Sequence, residues 1–221
     1  MTASLTRLDT IALLNLGSDE NRWSVEWIES VNSALDEVVA TEPTALVTTG
    51  SGKFFSNGLD VDWMAANGDR WGWYVEHIHA LLSRMLTLPV PTIAALNGHT
   101  FGAGALLAMA HDFRAMRADR GFLCFPEVDI RIPFSPGMAA LIQSKVSPQT
   151  AVAAMTTGRR YGGADALAAG LVDLTADESA LLDSAIGVVA PLVGKDPATL
   201  GNVKATMFAS AVAALALPLA T

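Results

Sequence analysis

The chain contains little cysteine and little positive charge. Cys124 is the single cysteine among 221 residues, which excludes an internal disulfide framework and favours a reducing compartment. Lysine and arginine number 14 against 22 aspartates and glutamates, so the formal net charge is −8. Nucleic acids and anionic membranes are bound by clustered positive charge. We therefore expect neither of them as a partner.

Long apolar runs and targeting signals are also missing. A membrane span needs ~18–20 apolar residues, and the closest stretch, 207–220, is interrupted by Ser210 and Pro218. The first residues, MTASLTRLDT, lack the apolar centre of a secretory signal, and the last three are not the peroxisomal tripeptide S-K-L. These absences predict no membrane span and a cytoplasmic location.

Apolar residues make up 51% of the chain, and their spacing indicates strands in some segments and helices in others. Strands are predicted over 4–16, 45–49, 93–96, 113–116 and 121–130, and helices over 24–40 and 69–88. Beyond residue 135 the pattern becomes Ala/Leu-rich and nearly all helical, with a last long helix over 197–217. We predict a catalytic core over residues 1–134 and a helical C-terminal region over 135–221.

Residues 91–112, PTIAALNGHTFGAGALLAMAHD, form the most informative stretch. A short strand leads into a glycine turn, Gly102 and Gly104 around Ala103, and an apolar helix follows. Glycines allow close approach of a ligand to the backbone, and the first N–H groups of a helix have no partner inside it. The turn therefore suits an oxyanion, although an ordinary strand-to-helix turn would have the same composition. It lacks the G-x-G-x-x-G spacing of a dinucleotide site.

Two further places carry chemistry. Asn57-Gly58-Leu59 is a second glycine turn after a buried strand, and its simpler interpretation is a tight turn that holds the sheet together. Glu127 stands in FLCFPEVDI, which we predict to be an apolar strand. A carboxylate is costly to bury ionised, so such a group has either a partner or a raised pKa and a function.

These three stretches, FFSNGLD, IAALNGHTFGAGALLAMAHD and FPEVDI, together resemble the crotonase family, the enoyl-CoA hydratase/isomerase superfamily. Weaker similarity extends from about residue 8 to about residue 173, through RRYGGADALAAGLVD. His111 departs from the pattern, because the family usually has a small residue there. The resemblance implies an α/β fold, a crotonase-like spiral of ββα units with a helical C-terminal region, and assembly as a homotrimer or a dimer of trimers.

The resemblance also implies a site for a coenzyme A thioester, with the coenzyme as part of the substrate and no separate cofactor or metal. The N–H groups of Leu59 and Ala103 would form the oxyanion hole, and Glu127 would be catalytic. The remaining residues implied to bind substrate are Gly58, Asp60, Gly102, Phe101, Leu106 and Phe125. Nearby cations, Lys53, Arg117 or Arg120, would hold the phosphates of the coenzyme, whereas Lys204 is the less favoured choice.

The number of carboxylates distinguishes the reactions of this family. Its hydratases use two glutamates to activate water, and alignment of GHTFGAGALLA puts Leu106 at the first of these positions and Glu127 at the second. One carboxylate can still move a proton between two carbons. The resemblance therefore favours a Δ3,Δ2-enoyl-CoA isomerase of fatty acid β-oxidation. The alternatives are an enoyl-CoA hydratase or other crotonase-type enzyme, with Asp129 as a second acid, and a non-catalytic acyl-CoA-binding oligomer. For Asp129 we favour a structural salt bridge with Arg131 or another cation.

Overall fold

The computed structural model describes residues 2–41 and 44–218, which fold into an α/β structure. The strands are β1 (Ser4–Leu8), β2 (Ile11–Asn15), β3 (Ala45–Thr49), β4 (Phe54–Ser56), β5 (Thr92–Leu96), β6 (His99–Phe101), β7 (Phe113–Arg117), β8 (Leu123–Cys124) and β9 (Leu174–Ala176). The helices are α1 (Val25–Ala40), α2 (Val61–Ala66), α3 (Trp71–Leu86), α4 (Ala103–Ala110), α5 (Glu127–Ile130), α6 (Pro136–Lys145), α7 (Pro148–Thr157), α8 (Gly163–Ala168), α9 (Leu181–Val189), α10 (Pro197–Met207) and α11 (Ala209–Leu215).

Two sheets receive alternate strands of the chain. The larger sheet has the order β1-β2-β3-β5-β7-β9, and only its β1–β2 pair is antiparallel. The smaller sheet has the order β4-β6-β8 and is parallel throughout. Each successive pair, β3–β4, β5–β6 and β7–β8, therefore gives its first strand to the larger sheet and its second to the smaller one. This alternation winds the chain into a spiral.

Both faces of the larger sheet are covered, which explains its nearly continuous apolar strands. One face packs against α1, α3 and α4, and every residue of α4 is buried. The other face presents Val47, Ile93 and Ala95 to α9. The C-terminal part of the chain thus supplies both a helix on this face and, through β9, an edge strand.

Local sequence signals begin several of the helices. Ser24 caps α1 by accepting a hydrogen bond from the Trp27 N–H, and Ser135 caps α6 in the same way before Pro136 at its first position. Helix α7 begins with Ser147 and Pro148. These starts coincide with the predicted ones because caps and N-terminal prolines act within one helical turn.

Three predicted elements differ from the structure. The strand predicted over 121–130 is limited to Leu123–Cys124, because Pro126 has no N–H for a ladder and its carbonyl instead accepts from the Asp129 N–H to form the short helix α5. The helix predicted over 69–88 begins at Trp71, after a 3₁₀ turn. The helix predicted over 197–217 is interrupted at Phe208.

Within residues 2–41 and 44–218, no helix is both long and apolar enough to cross a membrane.

Candidate active site

The smaller sheet assembles the candidate site. Its three strands are parallel and adjacent, so their carboxyl ends meet at one edge. Strand β4 leads to Gly58 and Leu59, β6 leads to Gly102 and Ala103, and β8 leads to Glu127. The three stretches that the sequence singled out thus lie side by side, although up to 70 residues of chain separate them.

The two glycine turns touch each other. A Cβ placed on Gly58 would lie 2.9 Å from the carbonyl oxygen of Phe101 and 3.2 Å from the amide nitrogen of Ala103. Gly58 and Gly102 also have positive φ angles, 85° and 52°, which side chains disfavour. A Cβ on Gly104 would come within 2.5 Å of the Ser56 carbonyl oxygen. Glycine is therefore favoured by conformation and by space together at Gly58, by conformation at Gly102 and by space at Gly104.

The backbone amides of Leu59 and Ala103 lie at this contact. Ala103 is the first residue of α4, where N–H groups have no acceptor within the helix. Within the part of the chain that the structure describes, neither amide donates a hydrogen bond to a backbone carbonyl. A bound oxygen atom could therefore accept from both.

Glu127 is the carboxylate of this site. A Cβ placed on Gly102 would be 4.0 Å from its Oε1 atom, so the carboxyl group lies beside the second turn. The side chain is only 9% exposed, and its buried Oε2 atom has no hydrogen-bond partner among the described residues. Burial raises the pKa of Glu127 from 4.5 to about 7. The group can thus exchange a proton near neutral pH.

Asp129 is directed away from Glu127. A Cβ on Gly158 would lie 2.2 Å from the Asp129 Oδ2 atom, which places this carboxylate beside Gly158, outside the Glu127–Gly102 contact. The predicted salt bridge with Arg131 or another cation is wrong, because Asp129 has no ion pair within residues 2–41 and 44–218. The short α5 helix, in place of the predicted strand, separates the two carboxylates.

The other residues predicted to bind substrate comprise a helix cap, two core residues and a half-buried aromatic residue. Asp60 caps α2, since its Oδ1 atom accepts from the Trp63 N–H at 3.0 Å. Leu106 and Phe125 are almost fully buried in the same apolar core as Ala103. Phe101 is half-buried, with its ring centroid 5.1 Å from that of His99. Leu106 and Phe125 thus belong to the apolar wall behind the two turns.

Three cations surround His99. Burial lowers the pKa of His99, and the charges of Lys53, Arg120 and Arg160 lower it further. The Arg160 guanidinium lies 5.6 Å from the Phe101 ring centroid, next to the second glycine turn. Lys53 and Arg120 were among the cations predicted from the sequence to hold phosphates, and that role stays a prediction. Arg160 was not among them, because its proximity to His99 depends on how the chain returns after α7.

Arg117 was also predicted to hold phosphates, but it is buried and fully engaged. Its guanidinium pairs with Asp119 at 2.7 Å and with Glu178 at 2.7 Å. These two carboxylates neutralise the charge, and the side chain is 5% exposed. Arg117 therefore holds the loop after β7 to the segment before α9 and is not part of the cationic group around His99.

A separate cavity of about 550 Å³ lies beside the first residues of β5 and β7. Its walls include Pro91, just before β5, and residues of α10, and none of the predicted site residues except the less favoured Lys204. The Lys204 ammonium donates to the carbonyls of Leu88 and Val90 and pairs with Asp112 at 2.6 Å. These three acceptors explain why Lys204 is a structural residue of the described fold.

Supporting residues of the first turn were not identified from the sequence. Ser56 Oγ accepts from the Gly58 N–H and from the Trp23 indole N–H, and donates to the Asn21 carbonyl. The Tyr74 hydroxyl lies between Trp23 and the turn. Their proximity arises from three separate segments, so no local pattern could have indicated it.

Comparisons with known proteins agree with this geometry. The model of the enoyl-CoA hydratase/isomerase family matches residues 9–219. Enoyl-CoA delta isomerase 3 of Arabidopsis thaliana is 40% identical over 190 residues, covering 83% of this chain and 78% of that protein. Carnitinyl-CoA dehydratase of Shigella flexneri is 35% identical over 162 residues, covering 72% and 61%.

Solved structures show the same fold. An enoyl-CoA hydratase/isomerase family protein from Pseudomonas syringae superposes with a TM-score of 0.90 at 24% identity, covering 96% of this chain and 93% of that one. Human mitochondrial delta3-delta2-enoyl-CoA isomerase gives 0.89 at 19% identity, covering 97% and 86%. At these identities the structures establish the fold alone.

The chain belongs to the enoyl-CoA hydratase/isomerase family. The predicted family, its crotonase-like α/β fold and the prediction of an enzyme are thereby confirmed. The roles of the individual site residues, the two-region division at residue 134 and the trimer stay predictions.

Proposed function

We propose that the protein is a Δ3,Δ2-enoyl-CoA isomerase that uses Glu127 as its single proton carrier and the Leu59 and Ala103 amides as its oxyanion hole. The observation that carries the proposal is the position of one desolvated, unpartnered carboxylate beside two amides without backbone acceptors among the described residues. The isomerases of Arabidopsis thaliana, at 37% and 40% identity, support the same reaction.

The mechanism follows from the order in which charge develops. The Glu127 carboxylate removes a proton from C2 of a 3-enoyl-CoA, and the electrons move into a dienolate whose oxygen carries negative charge. The Leu59 and Ala103 N–H groups stabilise that oxygen, and the loss of one such donor typically raises the barrier by about 3–4 kcal/mol. Glu127 then returns the same proton at C4, which gives 2-trans-enoyl-CoA and regenerates the carboxylate.

The raised pKa of Glu127 suits both halves of this cycle. A base with a pKa of about 7 is partly ionised at neutral pH and still basic enough to remove a carbon-bound proton assisted by the oxyanion hole. Its carboxylic acid form is also acidic enough to return the proton. A carboxyl group with an ordinary pKa would be a weaker base.

Hydration is the second candidate, because the family includes hydratases and the relatives include a dehydratase. It normally needs a second carboxylate in the helix after the glycine turn. Helix α4, AGALLAMA, contains only apolar residues and glycine, and Leu106 is 1% exposed. The apolar wall thus favours proton transfer without an activated water.

The substrate would be held by its coenzyme A portion as well. Lys53, Arg120 and Arg160 are exposed around His99, and their charges would attract the phosphates despite the net charge of −8. The product, 2-trans-enoyl-CoA, would enter fatty acid β-oxidation. A homotrimer or dimer of trimers stays our expectation, as does a cytoplasmic location, although two of the Arabidopsis relatives are named peroxisomal.

A paired assay tests the proposal. Purified protein is given 3-hexenoyl-CoA in one cuvette and 2-trans-hexenoyl-CoA in the other, and the absorbance of the conjugated thioester is followed. We expect a rise in the first and no decrease in the second. Glu127→Gln should abolish the rise and retain acyl-CoA binding, whereas Glu29→Gln, which changes an exposed carboxyl on α1, should retain both.

The opposite outcomes are equally informative. A decrease in the second cuvette would show that water is activated and would favour a hydratase. Binding without turnover of either compound would favour the non-catalytic acyl-CoA-binding oligomer. Turnover that survives Glu127→Gln would contradict the single-carboxylate mechanism.

A further inference from the structure

Tyr74 joins the first glycine turn to another loop. Its hydroxyl group donates to the Trp23 carbonyl oxygen at 2.6 Å and accepts from the Asp60 N–H at 3.0 Å. The Trp23 N–H in turn donates to the Gly58 carbonyl oxygen at 3.0 Å. Tyr74 is fully buried in α3, and its ring lies 5.0 Å from that of Trp63. One phenol thus connects three separate segments of the chain.

These bonds restrain both peptide planes beside Leu59. A peptide unit is planar and trans, so the carbonyl of Gly58 and the N–H of Leu59 point in opposite directions within one plane. The bond from Trp23 to the Gly58 carbonyl therefore directs the Leu59 N–H away from Trp23. The bond from Asp60 to Tyr74 orients the next plane in the same manner.

We propose that Tyr74 is a positioning residue, whose hydroxyl orients the Leu59 N–H toward a substrate carbonyl through Trp23 and Asp60 without touching the substrate. The inference rests on the proposed function in assigning the Leu59 amide to the oxyanion hole. Burial raises the pKa of Tyr74 to about 12, so the hydroxyl keeps near neutral pH the proton that it donates to the Trp23 carbonyl.

The test is Tyr74→Phe, which removes the hydroxyl and keeps the ring. We expect kcat to fall about tenfold to a hundredfold, because small misplacements of a catalytic group have effects of that size, while KM changes by less than about threefold. Tyr161→Phe is the matched control, since Tyr161 is the other tyrosine and is also buried. Ile78→Val, at a buried site on the same helix, controls for a general loss of stability.

A second readout does not require turnover. Hydrogen bonds from the oxyanion hole lower the carbonyl stretching frequency of a bound thioester, so infrared difference spectra of carbonyl-labelled hexanoyl-CoA report on the Leu59 amide. The lowering should be smaller in Tyr74→Phe than in wild type, and unchanged in both controls. Equal frequencies and equal kcat in Tyr74→Phe and wild type would overturn the inference and leave the isomerase proposal intact.

The two proposals can also fail separately. If the wild type binds hexanoyl-CoA with a lowered carbonyl frequency but does not isomerise 3-hexenoyl-CoA, the proposed function is contradicted and the role of Tyr74 is retained.

If Tyr74→Phe does not fold, amide hydrogen exchange of the wild type tests the same inference. We expect a protected Asp60 amide, and a Leu59 amide that exchanges fast until hexanoyl-CoA is added. An Asp60 amide as labile as that of Leu59 would overturn the inference.

Discussion

Glu127 should make the folded protein less stable as the pH rises, and Glu127→Gln should remove that dependence. The carboxyl has a pKa of about 7 in the folded state against an ordinary 4.5, so the folded state binds its proton more tightly than the unfolded state does. This stabilising contribution is complete below pH 4.5 and is lost as the pH rises through about 7.

The size of the effect follows from the two pKa values. Each pKa unit corresponds to about 1.4 kcal/mol, so the free energy of unfolding of the wild type should fall by about 3 kcal/mol relative to Glu127→Gln between about pH 4 and about pH 9. Glutamine cannot ionise and retains a similar shape. The variant should therefore be the more stable protein in mildly alkaline buffer, although it lacks the proposed proton carrier.

Urea unfolding followed by circular dichroism, at one protein concentration and at a series of pH values, measures this difference. Other titrating groups are shared by both proteins, so they cancel in the comparison. For Glu29→Gln, at an exposed site on α1, the difference in free energy of unfolding from the wild type should stay constant with pH. If the difference between Glu127→Gln and the wild type is constant as well, Glu127 is not desolvated, and the physical basis for its pKa near 7 is refuted. The kcat of the wild type should rise with pH around the same midpoint.

Three further perturbations test other contacts. Gly104→Ala should lower kcat at least about tenfold, because its Cβ would force the two glycine turns apart, whereas Gly187→Ala, with no atom within 4 Å, should retain activity. Burial lowers the pKa of His111 from 6.5 to about 4. The free energy of unfolding of the wild type should therefore fall by about 3 kcal/mol as the pH is lowered from about 6.5 to about 4. Urea titration should find no such fall in His111→Gln. Lys204→Met should cost about 3 kcal/mol in urea unfolding, because it removes the cation paired with the partly buried Asp112 and the donor to two carbonyls; a loss below about 1 kcal/mol would contradict this.

The neutral state of His111 shows how the fold accommodates an unusual residue of the central motif. The Leu107 carbonyl can only accept, so the Nδ1 atom of His111 carries the proton and donates to it at 2.8 Å. The Nε2 atom then accepts from the Thr48 hydroxyl at 2.8 Å. Both ring nitrogens of the uncharged histidine are satisfied, which explains how it replaces a small residue inside the core.

Local signals made much of the fold predictable from the sequence. The start of α1 at Ser24 and the starts of α6 and α7 depend on caps and prolines that act within a few residues. The glycine turns were recognisable because only glycine tolerates their conformation and close approach. The three motifs, in order, also identified the family, and with it a spiral fold that no single segment specifies.

The tertiary structure alone decided the environment of each group. Glu127 acquires its raised pKa from burial at an edge of the smaller sheet, and Arg117 is neutralised by Glu178, 61 residues further along the chain. The bonds of Tyr74 join segments that are distant in sequence, so no local pattern within α3 could have indicated them. Burial and long-range hydrogen bonds depend on which segments meet in space. Residue type and spacing thus indicated which groups are candidates for the chemistry, whereas the fold determined their charge, orientation and partners.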